Sequence, residues 1–257
     1  MHRKVACLVF VACAALAQTT QAQVTQREPV AASKSRTAVP GVEASRPDTA
    51  EAARRIVTLT NAFRSDEKLA PTGPAPQLAS TARYFADFMA RTGKFSHSAD
   101  GTEPAARAKR FGYEYCTVAE NIGYVFSAGA IDTADLARRL FEGWQNSPEH
   151  RKNMVNPDVT ETAVAIARSA TTDYYYAVQL FGRPMSQMIE FEVANRTGVG
   201  IEYELDGRTY QLPTRTTGTH QVCSRPTIKF RGKTLQPVNG QQLVIVNDQN
   251  GMQLQAQ

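Results

Sequence analysis

Residues 144–154 read WQNSPEHRKNM and carry the strongest local signal in this chain of 257 residues. Trp144 ends an apolar stripe with Leu136 and Leu140, and spacings of four residues predict an amphipathic helix. His150 follows in a polar segment that we expect to form a turn or a short helix. Because imidazole can exchange protons near neutral pH and can bind metals, His150 is a candidate functional residue.

Two other polar segments upstream contain residues of the same chemistry. Residues 95–98 read FSHS and contain His97, and residues 119–122 read AENI and contain Glu120. We predict that His97, Glu120 and His150 act together. The remaining histidine outside the N-terminal region, His220, lies in a polar stretch, for which a surface position is predicted.

In this order and spacing, the segments resemble the CAP superfamily, also called the SCP or cysteine-rich secretory protein family, and in particular its bacterial branch. The resemblance extends over about residues 50–184. Further matching segments are residues 60–64 (TNAFR), 100–101 (DG), Arg107, 112–113 (GY) and 179–182 (QLFG). The resemblance implies an α+β fold, a three-layer α/β/α sandwich with a pocket over its sheet, followed here by a small all-β domain.

In the animal and fungal branch, that pocket contains two histidines and two glutamates. His97 and Glu120 match the first histidine and the first glutamate. Ser147 stands where the second glutamate would be, and Tyr176 stands where the second histidine would be. The bacterial pattern supplies His150 instead. The resemblance therefore predicts a pocket lined by His97, Glu120, His150, Tyr176, Asn121 and Ser147.

Three functions are compatible with these side chains. The resemblance favours binding rather than an enzyme, with a lipid, a sterol, or a protein or other component of the cell envelope as the partner. Two imidazoles and a carboxylate could also hold zinc or another divalent cation, and so support a metal-dependent, peptidase-like hydrolase with His97, Glu120 and His150 as its catalytic and metal-binding candidates. No short paired spacing such as H-E-x-x-H supports that alternative. The third alternative is a structural or interaction protein without pocket chemistry.

The N-terminus has the order of a secretory signal peptide. Three residues with positive or titratable side chains precede an apolar run of 13 residues at 5–17, and small residues at Thr20 and Ala22 predict cleavage after Ala22. Thirteen helical residues span about 20 Å, less than the roughly 30 Å of a bilayer core. We therefore predict a secreted or periplasmic protein without a stable membrane span after cleavage. A lipoprotein signal at Cys13 is the alternative.

Charge and cysteine content limit the possible partners and the compartment. The net charge of +5 is spread along the chain without a basic cluster, so nothing predicts nucleic-acid binding.

Two of the four cysteines leave with the signal peptide. Cys116 and Cys223 remain, and export to an oxidising compartment favours a disulfide between them, the alternative being two free buried thiols.

Periodicity divides the remainder of the chain into a helical part and a strand-rich part. Asp48, with Glu51 three residues later, predicts a capping box at the start of the first helix. Strands at 162–167 and 174–181 predict a hairpin, and six or seven short strands follow residue 184, with turn signals at 206–207 and 250–251. The predicted domains are a signal peptide at 1–22, a flexible linker at 23–47, the CAP-like domain at 48–184 and the β domain at 188–257.

Overall fold

The structure is a computed structural model, and it describes residues 46–249 and 251–257. The predicted signal peptide, its cleavage at Ala22, the alternative at Cys13 and almost all of the predicted linker lie outside the described residues. Within the described ranges, no helix is both long enough and apolar enough to cross a bilayer.

The described chain contains five α-helices, one short 3-10 helix and twelve strands. The helices are α1 (Thr49–Asp66), α2 (Pro76–Thr92), α3 (Pro104–Arg110), α4 (Thr133–Gln145), α5 (Pro148–Met154) and the 3-10 turn Met185–Gln187. The strands are β1 (Gly73–Pro74), β2 (Tyr115–Phe126), β3 (Glu161–Arg168), β4 (Tyr174–Pro184), β5 (Ile189–Asn195), β6 (Ile201–Leu205), β7 (Arg208–Leu212), β8 (Thr217–Val222), β9 (Ile228–Phe230), β10 (Lys233–Leu235), β11 (Gln242–Asp248) and β12 (Gly251–Ala256).

Helix α1 begins as predicted, but its capping box does not close. Asp48 Oδ1 accepts hydrogen bonds from the backbone N–H groups of Ala50 and Glu51, each at 2.9 Å. The Glu51 carboxylate does not reach back to the Asp48 N–H. It binds two arginines in the next turn of α1 instead, and the Asp48 N–H donates to the Thr133 hydroxyl at 3.0 Å. The cap thereby joins α1 to the start of α4.

Strands β1 to β4 form one sheet in the order β1-β3-β4-β2, with β3 and β2 both antiparallel to β4. Successive strand residues point to opposite faces. One face packs against α1 and α4, with Tyr175 and Phe181 in that core, and the other packs against α2, with Tyr176 and Leu180 in that core. The three-layer α/β/α sandwich is therefore confirmed.

Strand β2 was not predicted from the pattern, although Glu120 and Asn121 lie on it. It pairs with β4 along its whole length, from Tyr115 opposite Pro184 to Phe126 opposite Tyr174. It is an edge strand, so its side chains are only partly buried and the alternation of apolar residues is weak. This register places Glu120 on the same face of the sheet as α2.

The strands after residue 188 form two four-stranded sheets around a shared apolar core, in the orders β10-β9-β6-β7 and β12-β11-β5-β8. The predicted hairpin turn is present: Asp206 and Gly207 both have positive φ, at 49° and 79°, as a tight hairpin requires. In the other predicted turn, Asn250 lies outside the described residues. Strands β8 and β10 were not expected, because their side chains are largely polar. The predicted domain limits stay a prediction.

The prediction of a surface position for His220 is wrong. Its ring is half-buried and stacks on Phe191 with centroids 5.2 Å apart, and its Nε2 lies 2.6 Å from the Tyr203 hydroxyl. Because β8 pairs with β5, alternate residues of this polar segment turn toward the core. Burial lowers the pKa of His220.

A disulfide joins Cys116, at the start of β2, to Cys223, which follows β8. It links the sheet of the sandwich to the strand-rich region 107 residues away along the chain. The backbone N–H of Arg225, two residues beyond Cys223, donates to Asp158 Oδ1 at 3.1 Å. The pairing predicted for the two remaining cysteines is thus present.

Candidate functional site

His97 and Glu120 are in direct contact. His97 lies in the loop between α2 and α3, and its Nδ1 is 2.9 Å from Glu120 Oε1. The Glu120 side chain is 1% exposed, whereas that of His97 is 49% exposed. A carboxylate can only accept hydrogen bonds, so the hydrogen of this bond is on Nδ1. In the neutral ring, Nε2 then keeps its lone pair and is available to a ligand.

Arg107 holds both members of this pair. Its side chain, on α3, is fully buried, and Nη2 donates to Glu120 Oε2 at 3.1 Å and to the backbone oxygen of His97 at 2.8 Å. Nη1 donates to Asp100 Oδ1 at 2.6 Å, and the guanidinium carbon lies 3.4 Å from the centroid of the Phe85 ring. One buried arginine therefore fixes Glu120 and the loop that carries His97.

Arg107 was not among the predicted site residues. The available signal was its membership, together with Asp100, in the segments that match the family. The burial of Arg107 could not be predicted from local sequence, because it depends on two carboxylates that lie 7 and 13 positions away in the chain.

Asn121 attaches α5 to the edge of the sheet. It is fully buried, and its Nδ2 donates to the backbone oxygen of His150 at 3.2 Å. The Asn153 amide donates to Asn121 Oδ1 at 2.8 Å and to the backbone oxygen of Glu120 at 3.4 Å. These contacts give Asn121 a positioning role, because they set the place of α5, and with it His150, at the edge of the sheet.

His150 is half-buried on α5, and its Nδ1 has no hydrogen-bond partner among the described residues. Burial lowers the pKa of His150, and a positive charge on His97 lowers it further. The two imidazoles are therefore close enough to influence each other electrostatically. Nothing in the described part of the chain joins His150 to Glu120 by a side-chain hydrogen bond.

The other two residues predicted to line the pocket, Tyr176 and Ser147, lie in different parts of the site. Tyr176, on β4, is 7% exposed, and its ring centroid lies 6.3 Å from that of Phe95, two residues before His97. Ser147 occupies the N-cap position of α5, and its side chain makes no capping hydrogen bond. Tyr176 thus borders the loop that carries His97, whereas Ser147 lies at the start of the helix that carries His150.

Beside His97 lies a group of five rings that we call the aromatic platform: Phe95, Tyr124, Phe126, Tyr174 and Tyr176. Adjacent rings are 5.0 to 6.3 Å apart between centroids, beginning with Phe95 on Tyr124. Phe95, Tyr124 and Phe126 are 42%, 52% and 55% exposed. The sequence indicated only that Tyr174 and Tyr176 share one side of a strand, because the register between β2 and β4 was unknown.

The contacts of Glu120 disfavour its predicted role as a metal ligand. Both oxygens of Glu120 face the Arg107 guanidinium, and one also accepts from His97. A metal ligated by Glu120 would have to displace these donors from a buried carboxylate. Among the described residues, no group of three or more His, Cys, Asp or Glu side chains is arranged to hold a metal ion. Of the three predicted metal ligands, His97 and His150 are those whose side chains are not bound to Arg107.

Comparison with known proteins agrees with this architecture. The model of the CAP family, described as the cysteine-rich secretory protein family, matches residues 57–181. The Bacillus subtilis protein YkwD is 32% identical over 119 residues, which are 46% of this chain and 43% of YkwD. The chain therefore spans less than half the length of that relative.

Two solved structures are also similar. An outer surface protein from Borrelia burgdorferi is 18% identical, with a TM-score of 0.47 over 55% of this chain and 98% of that chain. An extracellular protein with an SCP domain from Bacillus anthracis is 26% identical, with a TM-score of 0.42 over 52% of this chain and 41% of that chain.

Proposed function

Because residues 57–181 form a domain of the CAP family, in its bacterial branch, we propose that the protein is exported and binds a component of the cell envelope. The binding site is the surface formed by the loop of His97, strand β2 and helix α5. A lipid, a sterol-like molecule or another envelope component is the ligand. The protein acts by binding rather than by catalysis.

The observation that carries this proposal is the fixed presentation of His97 beside exposed rings. Binding sites combine apolar surface with a few polar groups held in defined positions. Glu120, itself bound by Arg107, holds the His97 ring from its buried side, and the other ring nitrogen remains available at a surface where 49% of the side chain is exposed. A ligand can therefore stack on the rings and bond to the imidazole at the same time.

Binding to isolated envelopes tests this proposal. We expect the mature protein to sediment with envelope fractions of a bacterium that encodes it, and His97→Ala to weaken that binding about tenfold, which corresponds to roughly 1.4 kcal/mol. Ser98→Ala is the matched control, because Ser98 is exposed in the same loop and its side chain makes no hydrogen bond to any residue that the structure describes. Equal binding by His97→Ala and the parent protein would refute a role for this site.

Export is supported by the signal-like N-terminus and by the disulfide, since disulfides persist in oxidising compartments. Mass spectrometry of the protein recovered from the producing cell tests it. We expect a mature chain that begins at Gln23. A chain that retains residues 1–22, or one lipidated at Cys13, would contradict the predicted cleavage.

The unpartnered Nδ1 of His150 and the electrostatic influence of His97 on His150 favour one alternative: a divalent metal held by the two imidazoles, in support of peptidase-like hydrolysis. A bound metal would supply an activated water molecule. His97 and His150 would hold the metal, and Glu120 would orient His97 from behind. Metal analysis of purified protein tests this alternative: stoichiometric zinc that disappears in the His97→Ala/His150→Ala variant would support it, and no divalent ion bound at micromolar concentration would refute it.

A further inference from the structure

We propose that the aromatic platform binds a glycan chain of the cell envelope that carries carboxylate groups. This inference rests on the proposed function and gives the ligand its chemical class. The platform, the charges around it and its length each support the assignment.

The platform is an open surface of rings in edge-on and tilted contact. Tyr124 and Phe126 alternate along β2, and Tyr174 and Tyr176 alternate along β4, so all four point to the same face of the sheet. Phe95 comes from the loop of His97 and contacts Tyr124 edge-on at 5.0 Å. Every aromatic side chain that is exposed within the described residues belongs to this one cluster. Such a concentration of rings marks a contact surface.

An open surface of this kind suits a sugar chain better than a lipid. A lipid or sterol gains affinity when a pocket encloses most of its apolar surface. The structure has cavities of about 340 and 290 Å³, but none of the five rings lines either of them. A pyranose needs no enclosure: the C–H groups of one face stack on a ring, and its hydroxyl groups bond at the edges. Tyrosine hydroxyls and the His97 imidazole supply those bonding groups here.

The charges beside the platform favour an anionic chain. The Glu120 and Asp100 side chains are each 1% exposed and bind to Arg107, so neither carboxylate is presented at the surface, and Asp173, beyond the far end, pairs with Arg168 at 3.3 Å. Two exposed cations, Lys94 and Arg91, flank the loop of Phe95, and neither forms an ion pair within residues 46–249 and 251–257. The exposed charges in the segment that leads to Phe95 are therefore positive, which complements carboxylates on a ligand.

The length of the site favours a polymer. From Glu120 to Phe126, β2 advances six residues, or about 20 Å at roughly 3.3 Å per residue. A single sugar would cover a fraction of that distance. A chain of several sugars would contact His97 at one end and Phe126 at the other.

Two oligosaccharides with the same backbone distinguish the contribution of ring stacking to binding from that of charge. One is a peptide-free glycan tetrasaccharide from peptidoglycan, whose lactyl groups carry carboxylates. The other is the chitin tetrasaccharide, which has no carboxylates. We expect the mature protein to bind the carboxylated chain in calorimetry, and to bind the neutral one about tenfold more weakly. Lys94→Gln should reduce that difference, and added salt should do the same because it screens exposed charges.

Substitutions on the platform test its role. Tyr124→Ala and Phe126→Ala are each expected to weaken binding of the carboxylated chain about tenfold, and both side chains are more than half exposed, so the fold should be retained. Tyr124→Leu keeps an apolar side chain without a flat ring and should also weaken binding. Val199→Ala, which removes part of a side chain that is 51% exposed in the strand-rich region, is the control and should change nothing.

The outcomes separate this inference from the function on which it rests. Envelope binding without binding of either tetrasaccharide would overturn the glycan assignment and leave the proposed function intact. Absence of both envelope binding and tetrasaccharide binding would overturn the glycan assignment and the proposed function together. Glycan binding that survives Tyr124→Ala and Phe126→Ala would place the glycan elsewhere. Binding to phosphatidylglycerol vesicles with the same dependence on these variants, or a dimer that they dissociate in sedimentation, would assign the platform to a lipid surface or to a second copy of the chain.

Discussion

At the residue scale, the geometry of the site depends on Arg107, because Glu120 and Asp100 are both buried carboxylates that are bound to it. Arg107→Met should lower the free energy of unfolding by about 3–5 kcal/mol, since two buried charges lose their partner. Urea denaturation measures the loss. The matched control is Arg91→Met, an exposed position with an expected change within about 0.5 kcal/mol. A loss below about 1 kcal/mol at Arg107 would mean that water or another group replaces the guanidinium.

The lowered pKa values of two histidines predict how the free energy of unfolding depends on pH. The pKa values of His150 and His220 are both lowered by burial, and that of His150 also by the charge of His97. In the unfolded chain both return to about 6.5, so below that pH the unfolded state takes up protons that the folded state resists. The free energy of unfolding should therefore fall as the pH drops from about 7 to 5. Above about pH 7 these two groups should have no effect.

Urea denaturation at a series of pH values checks this prediction. His150→Gln and His220→Gln should each remove part of the slope between about pH 7 and 5, because glutamine does not titrate. The two histidines are in different parts of the fold, so their effects should add in the double variant. An unchanged slope in both variants would show that other groups cause the pH dependence.

At the element scale, close packing of β4 against Tyr113 requires a glycine. A Cβ at Gly182 would come within 2.7 Å of Tyr113 ring atoms. The ring cannot easily move, because its hydroxyl donates to Glu161 Oε2 at 2.6 Å and the residue is 4% exposed. Gly182→Ala should therefore destabilise the protein by about 1–3 kcal/mol, as overpacking does. Thermal denaturation measures the change.

The control lies in α4, where Gly143 is exposed and a Cβ would meet no atom within 4 Å. Gly143→Ala should stabilise the protein by about 1 kcal/mol, because alanine favours helix over glycine by that amount. A stabilising effect at both positions would show that Tyr113 gives way to the added methyl group.

At the scale of the whole molecule, the disulfide between Cys116 and Cys223 restricts the unfolded chain by closing a long loop. Its 107-residue separation predicts a stabilisation of about 3–5 kcal/mol. The free energy of unfolding of the Cys116→Ser/Cys223→Ser variant should be lower by that amount, and its midpoint of thermal unfolding should be lower than that of the parent protein. The parent protein in reductant should behave like this variant, and reductant should not affect the variant. Equal midpoints for the parent protein and the variant would contradict the prediction.

The sequence by itself predicted the sandwich through its resemblance to the family, favoured the pairing of the two remaining cysteines and identified the candidates His97, Glu120 and His150. Periodic apolar residues report local geometry, so helix α4 and the hairpin of β3 and β4 could be predicted. The order of short motifs was sufficient for the family. Edge strands such as β2 and β8 were missed, because a half-exposed strand lacks a clear alternation of apolar and polar residues.

Only the tertiary structure decided which of these residues meet and which surface they form. Arg107 became central through two carboxylates that approach it after folding, and His220 turned inward because of the pairing of β8 with β5. The platform unites a loop residue, Phe95, with residues of two strands whose register no local pattern specifies. The physical reason is the same in each case: periodicity encodes the direction of a side chain within its own element, whereas contacts between elements depend on how the elements pack.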